Sequence, residues 1–250
     1  MEDVSYGEIP GLTLDVYKPQ NPRADAPVLM FVYGGSWTSG DKSDYKFIGE
    51  SFTSEGYTVV IPNYRLYPGI QFPDPVTDTA KAAAWASKNF EGRPLILMGQ
   101  SAGGYNVLMT GLDGAYLANE GVDVCQSVAG VVSLAGPVGI VPLKKEPYIT
   151  IFPDRFTKAD APMGLPDAPS PPLFLASGLE DKTVYPQNAQ QLGEKTNARG
   201  GSAQVKLYDD LGHVDMVKVL SRFFDGDAAL KPDILKFIAQ HSERQETYCQ

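Results

Sequence analysis

The sequence predicts an α/β protein built on one mostly parallel sheet with helices on both faces. Two observations predict it. Short β-prone apolar runs recur along the 250-residue chain with helix-period stretches between them. Most of these runs are apolar throughout instead of alternating, as strands covered on both faces are.

The elements follow in chain order. The N-terminal MEDVSYGEIPGLTLDVY lacks a basic stretch followed by an apolar one, so it is not expected to be a signal peptide, and it enters a first strand almost at once. Pro27 to Tyr33 (PVLMFVY) is a buried strand ending at Gly34-Gly35; Tyr57 to Pro62 and Leu95 to Met98 are the next two. Val128 to Leu134, Pro172 to Ala176 and Ala203 to Tyr208 continue the series. Helices are expected over Asp44 to Glu55, Pro75 to Phe90, Gly103 to Leu112 and Pro186 to Ala198. After His213, Val217, Leu220 and Phe224 share one helical face, and Pro232 opens a last helix carrying Ile234, Phe237 and Ile238. The whole chain, 1–250, reads as a single domain. One stretch breaks the alternation: about 137–170, proline-rich and carrying Tyr148, Phe152 and Phe156, reads as a short cap.

Composition removes several function classes. A net charge of −9 opposes binding to nucleic acid and to anionic membrane surfaces. No apolar run reaches the roughly 18 residues of a transmembrane helix, and a cytoplasmic protein is expected. Cys125 and Cys249 suggest neither a disulfide framework nor a Cys/His zinc site; Cys125 is expected to be a small buried side chain and Cys249 a mobile one, with a bridge between the two as the lesser alternative.

The chemistry is concentrated in Gly99-Gln100-Ser101-Ala102-Gly103. The pentapeptide follows a strand and precedes a helix, which is where a serine can be held exposed on a sharp turn with small neighbours. Serine needs a base within hydrogen-bonding reach. The chain has two histidines. His213 lies in a loop after a strand, whereas His241 lies near the end of the last helix. The acid should follow an intervening strand and precede the histidine. Asp181 does, with Glu180 the rival and Asp210 a weaker one. Backbone donors for a reacting oxygen are available in Tyr33-Gly34-Gly35-Ser36-Trp37 and at Ala102 N–H, beside Ser101. Tyr33, Trp37 and Gln100 are candidates for the pocket wall.

YGGSW, NYRLYPGIQFPDPVTD, GQSAGG and GLEDKTV with the later LGH together resemble the hormone-sensitive-lipase-like and feruloyl-esterase-like carboxylesterases of the α/β-hydrolase superfamily. The likeness runs from about residue 11 to residue 241, and YRL followed by Asp78 is a separate landmark within it. It implies the α/β-hydrolase fold and assigns the loop donors to Gly35 and Ser36. It also departs in one place: the family's HGGG begins with histidine, where this chain has Tyr33, and its third glycine is Ser36.

The expected activity is hydrolysis of small, short-acyl carboxylic esters. Ser101 is the nucleophile, His213 the base and Asp181 its orienting acid, with Gly35, Ser36 and Ala102 facing the oxyanion. No metal or organic cofactor is required, a small-molecule ester is the expected partner, and the oligomeric state is left open. Related readings are an arylformamidase, an isoprenylcysteine methylesterase, a feruloyl esterase and an acyl-peptide hydrolase. A hydrolase-fold binding protein without catalysis is a different class, and the presence of His213 argues against it. An aspartate-nucleophile hydrolase is excluded by the serine at the elbow.

Overall fold

The computed structural model describes residues 1–24, 26–139, 145–165 and 170–242. Its frame is one eight-stranded sheet: Val4–Ser5 (β1), Thr13–Tyr17 (β2), Val28–Val32 (β3), Thr58–Pro62 (β4), Leu95–Gln100 (β5), Val128–Leu134 (β6), Leu173–Gly178 (β7) and Ala203–Tyr208 (β8), in the order β1-β2-β4-β3-β5-β6-β7-β8. β1 and β2 run antiparallel at one edge, and β4 to β8 with β3 are parallel. Every residue of β3, β4, β5, β6 and β7 is buried, whereas β8 is half-exposed along its length. That is why the central runs read as unbroken apolar stretches and the edge run AQVKLY does not.

Helices cover both faces. Successive residues of a strand point to opposite faces. A Cβ at Gly130 of β6 would meet the Phe237 ring of the last helix, Leu230–Gln240, while Val131 reaches Gly111 of the helix Ala102–Leu112. Helix Asp74–Asn89 packs on Ala102–Leu112, and Gln187–Ala198 packs on β7 and β8.

Three expectations change. The helix expected from Asp44 begins instead as a 3-10 turn, Lys42–Tyr45, that leads into Lys46–Ser54. The amphipathic helix after His213 is not continuous: a turn of helix, Asp215–Lys218, is followed by a separate 3-10 turn, Arg222–Phe224, whose start is capped by Ser221 Oγ. A serine that offers its hydroxyl to the backbone N–H two residues on starts a new turn and ends the old one. Val217 and Leu220 are buried, whereas Phe224, in the separate turn, is half-buried against the same core. Finally, Cys125 is disulfide-bonded and half-buried in the short helix Val124–Ser127, where a free buried thiol was expected. Cys249 lies outside the described residues.

Among its described residues, the segment expected as a cap holds a short helix, Tyr148–Ile151, and two 3-10 turns, Lys158–Asp160 and Pro162–Gly164. Residues 140–144 and 166–169 of it lie outside the described residues. Phe72 N–H donates to Ile151 O at 2.7 Å, and Val138 N–H donates to Asn188 Oδ1 at 3.1 Å. These bonds tie the described part of the segment to the loop before helix Asp74–Asn89 and to helix Gln187–Ala198, while Met163 N–H to Val138 O, 2.9 Å, closes it on itself.

Candidate active site

Residue 101 is placed by its neighbours. β5 runs to Gln100 and helix begins at Ala102, so Ser101 takes φ 54° and ψ −121°. That conformation costs about 1–3 kcal/mol in a residue with a side chain. Space dictates the flanking glycines: a Cβ at Gly99 would lie 2.3 Å from Gly103 O, and one at Gly103 would lie 2.0 Å from Val32 O. Ser101 N–H donates to Leu134 O at 2.9 Å, and Ser101 O accepts from Tyr105 N–H at 3.1 Å. The turn is therefore pinned to β6 on one side and to its own helix on the other.

His213 and Asp181 come from the next loops along the sheet edge. The β7 and β8 loops are tied together by Leu179 N–H to Tyr208 O, 2.8 Å, and Glu180 N–H to Leu211 O, 3.1 Å. Gly178 is required there, because a Cβ would fall 1.8 Å from Leu211 O. The result is one chain of polar contacts: Ser101 Oγ lies 2.9 Å from His213 Nε2, and His213 Nδ1 lies 2.7 Å from Asp181 Oδ2. Asp181 is buried, 2 % exposed, and its Oδ1 accepts Thr183 N–H and Val184 N–H at 2.8 and 2.9 Å. Glu180 and Asp210 are both exposed. His241 sits at the end of the last helix with its ring against Phe237, and burial lowers its pKa. His213 is the histidine brought to Ser101.

The glycine-rich loop crosses directly in front of this turn. A Cβ at Gly34 would lie 2.9 Å from the Ser101 Cβ. Gly35, Ser36 and Trp37 follow with φ of 120°, 56° and 59°. Gly35 is forced, since a Cβ would sit 2.0 Å from Ser39 O. Trp37 Nε1 donates to Asn106 Oδ1 at 2.9 Å, which fastens the loop to the helix behind Ser101. Three consecutive left-handed residues turn their N–H groups away from the regular ladder.

The three pocket-wall candidates take different places. Tyr33 is buried, stacked between Tyr45 and Tyr64 at centroid distances of 5.4 and 4.8 Å, with its hydroxyl 3.0 Å from Asn63 Oδ1. Burial raises its pKa well above the ordinary phenol value, so the hydroxyl remains a donor. Gln100 is buried and donates from Nε2 to His213 O at 3.2 Å. Both side chains are supports for the loops and not open wall. Trp37 does meet the cap: its ring stands edge-on to Phe152 and Tyr148, at 5.0 and 6.5 Å, and to Tyr105 at 5.5 Å. Phe72 extends the cluster to Phe156 and Phe152.

The Asp78 landmark has a structural cause. Asp78 is fully buried and accepts Arg65 N–H at 3.0 Å, Arg65 Nε at 2.8 Å and Arg65 Nη2 at 2.8 Å. The hydrogen bonds that the guanidinium donates to Asp78 hold the Arg65 pKa above its ordinary value against the opposing effect of burial. Among the described residues no group of three His, Cys, Asp or Glu side chains converges as a metal site, and no helix is long and apolar enough to cross a membrane.

The BD-FAE family model matches residues 14–196. The chain belongs to the BD-FAE family. The BD-FAE match contains the Tyr33–Trp37 loop, Asp78, Ser101 and Asp181, and ends before His213. Among curated proteins this BD-FAE chain is 28 % identical over 239 residues to the isoprenylcysteine alpha-carbonyl methylesterase ICME of Arabidopsis thaliana, covering 85 % of this chain and 56 % of that one. It is 34 % identical over 142 residues to the versiconal hemiacetal acetate esterase of Aspergillus parasiticus, covering 56 % of this chain and 42 % of that one. The chain thus spans about half the length of these curated relatives. Among solved structures, a truncated carbohydrate esterase from gut microbiota superposes with a TM-score of 0.81 at 18 % identity, covering 97 % and 95 % of the two chains. Thermogutta terrifontis esterase 2 superposes at 0.75 and 20 % identity, covering 96 % and 92 %. These likenesses show the α/β-hydrolase fold.

Proposed function

We propose that this BD-FAE chain hydrolyses small carboxylic esters through an acyl-enzyme on Ser101. The observation that carries the reading is the relay Ser101 Oγ–His213 Nε2–Asp181 Oδ2, with links of 2.9 and 2.7 Å, on a turn strained so as to present the hydroxyl. His213 takes the Ser101 proton as Oγ attacks the carbonyl carbon, and Asp181 fixes the imidazole tautomer and stabilises the cation that forms. The carbonyl oxygen becomes an oxyanion facing Gly35, Ser36 and Ala102 N–H, with the positive end of the helix Ala102–Leu112 behind it. His213 then returns the proton to the leaving alcohol. A water molecule, deprotonated by the same imidazole, attacks the acyl-enzyme and frees the acid.

A short acyl group is favoured by the aromatic cluster of Trp37, Tyr105, Tyr148 and Phe152, which fills the space beside the loop. The name of one relative specifies an acetate, whose acyl group is short, and that of another a methyl ester, whose small part is the alcohol. The net charge of −9 is compatible with a neutral small-molecule substrate and opposes a nucleic-acid or anionic-membrane partner. A panel of p-nitrophenyl esters of increasing chain length, extended to methyl ferulate and N-formylkynurenine, tests the reading. Highest kcat/KM is expected on acetate and butyrate. Preference for acyl chains beyond about ten carbons, an extended apolar cleft's signature, or for the formamide would overturn it.

A further inference from the structure

We propose that Asn63 is the positioning residue of the glycine-rich loop, a single amide that holds both ends of residues 33–42 and thereby sets the donors that face the reacting oxygen. The inference rests on the reading of Gly35 and Ser36 as those donors.

Asn63 follows β4 directly, and its backbone is fixed from two directions. Its N–H donates to Thr13 O at 2.8 Å, and its carbonyl accepts from the Tyr6 hydroxyl. With the backbone held, the side chain reaches across the loop. Oδ1 accepts the Tyr33 hydroxyl at 3.0 Å, where the loop begins, and Lys42 N–H at 2.7 Å, where it ends. Nδ2 donates to Asp41 Oδ2 at 2.8 Å. Each end is itself braced. Tyr64, the next residue, donates its hydroxyl to Tyr33 O at 3.0 Å, and Lys42 Nζ is paired with Asp15 at 2.6 Å and Asp3 at 2.8 Å.

What lies between the two ends explains the need. Gly35, Ser36 and Trp37 are all in the left-handed region, and two of them carry side chains. Such a run persists only where the surroundings over-determine it. Asn63 supplies that constraint in a way other side chains cannot. One atom must accept two bonds while the other donates one, which is the pattern of a carboxamide. Aspartate would keep both accepted bonds but set a second carboxylate against Asp41. Alanine would remove all three. Histidine, the residue the related HGGG loops carry in place of Tyr33, is not needed here, because the Tyr33 phenol supplies the donor that Asn63 receives.

A purely structural role and a positioning role predict different kinetics. Sulfur accepts hydrogen bonds poorly and is larger than oxygen, so a site with well-aimed N–H donors prefers an oxoester to the matching thionoester. Asn63→Ala is expected to lower kcat for p-nitrophenyl acetate by about 10- to 100-fold, below the loss seen when an oxyanion donor is removed outright, with KM changed less than about threefold. The oxoester-to-thionoester ratio of kcat/KM should fall with it, and the shape of the pH–rate profile should stay, because His213 and Asp181 are untouched. Asn63→Asp should fall between wild type and Asn63→Ala. Tyr33→Phe removes one bond of the clamp while leaving the ring stack, and covers the case in which Asn63→Ala does not fold; a smaller fall in the same ratio is expected. Folded variants whose melting temperature drops while kcat and the ratio stay at wild-type values would overturn the inference alone. A wild type that hydrolyses esters with no preference for the oxoester would instead overturn the reading of the loop donors and the inference with it.

Discussion

Asp181→Asn isolates what the acid does, because the structure dictates how an amide would sit there. Asp181 Oδ1 accepts two backbone N–H groups and Oδ2 faces His213 Nδ1. The asparagine oxygen must take the Oδ1 place, since turning it round would point an NH2 group at Thr183 N–H and Val184 N–H. Leaving these two part-buried donors unpaired costs at most about 1–3 kcal/mol each, so up to about 2–6 kcal/mol together. The amide NH2 therefore faces Nδ1 and forces the proton onto Nε2, where the imidazole donates to Ser101 instead of accepting its proton. The productive tautomer is disfavoured by the same 2–6 kcal/mol, which is about 30-fold to about 10⁴-fold in rate. The upper end agrees with the general loss of about 10⁴ for this substitution in a serine triad. The assay is kcat on p-nitrophenyl acetate at neutral pH, with circular dichroism to show the fold intact. Glu180→Gln, at an exposed position, should change kcat less than about twofold. A loss of less than tenfold in Asp181→Asn, or an equal loss in Glu180→Gln, would refute the reasoning.

Two further predictions concern stability. Asp78→Ala removes the carboxylate that accepts two bonds from the Arg65 guanidinium and one from its backbone N–H; because Arg65 keeps some contact with water, the expected loss is about 3 kcal/mol, at the lower end for a broken buried pair, or about 6–12 °C in melting temperature. A shift under about 2 °C would contradict it. In alkali, burial pushes the phenols of Tyr17 and Tyr116 up to about 12 and raises those of Tyr33 and Tyr208 further. The unfolded phenols lose protons near their reference value of about 10, so between about pH 10 and 12 the unfolded state binds fewer protons and stability falls as pH rises. Absorbance at 295 nm should show these tyrosinates appearing together with loss of circular dichroism; titration of every tyrosine near pH 10 in an intact fold would contradict it.

The elements read from the sequence were those whose cause is local. β3, β4 and β5 are buried along their whole length, so their apolar runs were visible as they stand. The turn at Ser101 was visible because Gly99 and Gly103 are demanded by steric contacts within a few residues and by one neighbouring strand. The order of Ser101, Asp181 and His213 identified three residues that the fold does bring together. What was not visible depends on distant partners. Asn63 meets Tyr33 and Lys42 across 30 and 21 residues of chain, and Gln100 meets His213 O across 113, so nothing in their neighbourhoods marks them. The proline-rich YRL block did contain Asn63, but its periodicity carries no information about a side-chain amide. The helix after His213 failed for the opposite reason: a local serine cap at Ser221 overrode an apolar spacing that pointed to a longer helix.

The central claim is that Ser101 is the nucleophile, and covalent labelling tests it most directly. A fluorophosphonate added to the folded protein should give one adduct per chain, mapped by peptide mass to the Ser101 peptide, with esterase activity lost in step. Ser101→Ala should take up no label and lose turnover while melting at the wild-type temperature. An unlabelled but folded wild type, or label and turnover that survive in Ser101→Ala, would contradict the account.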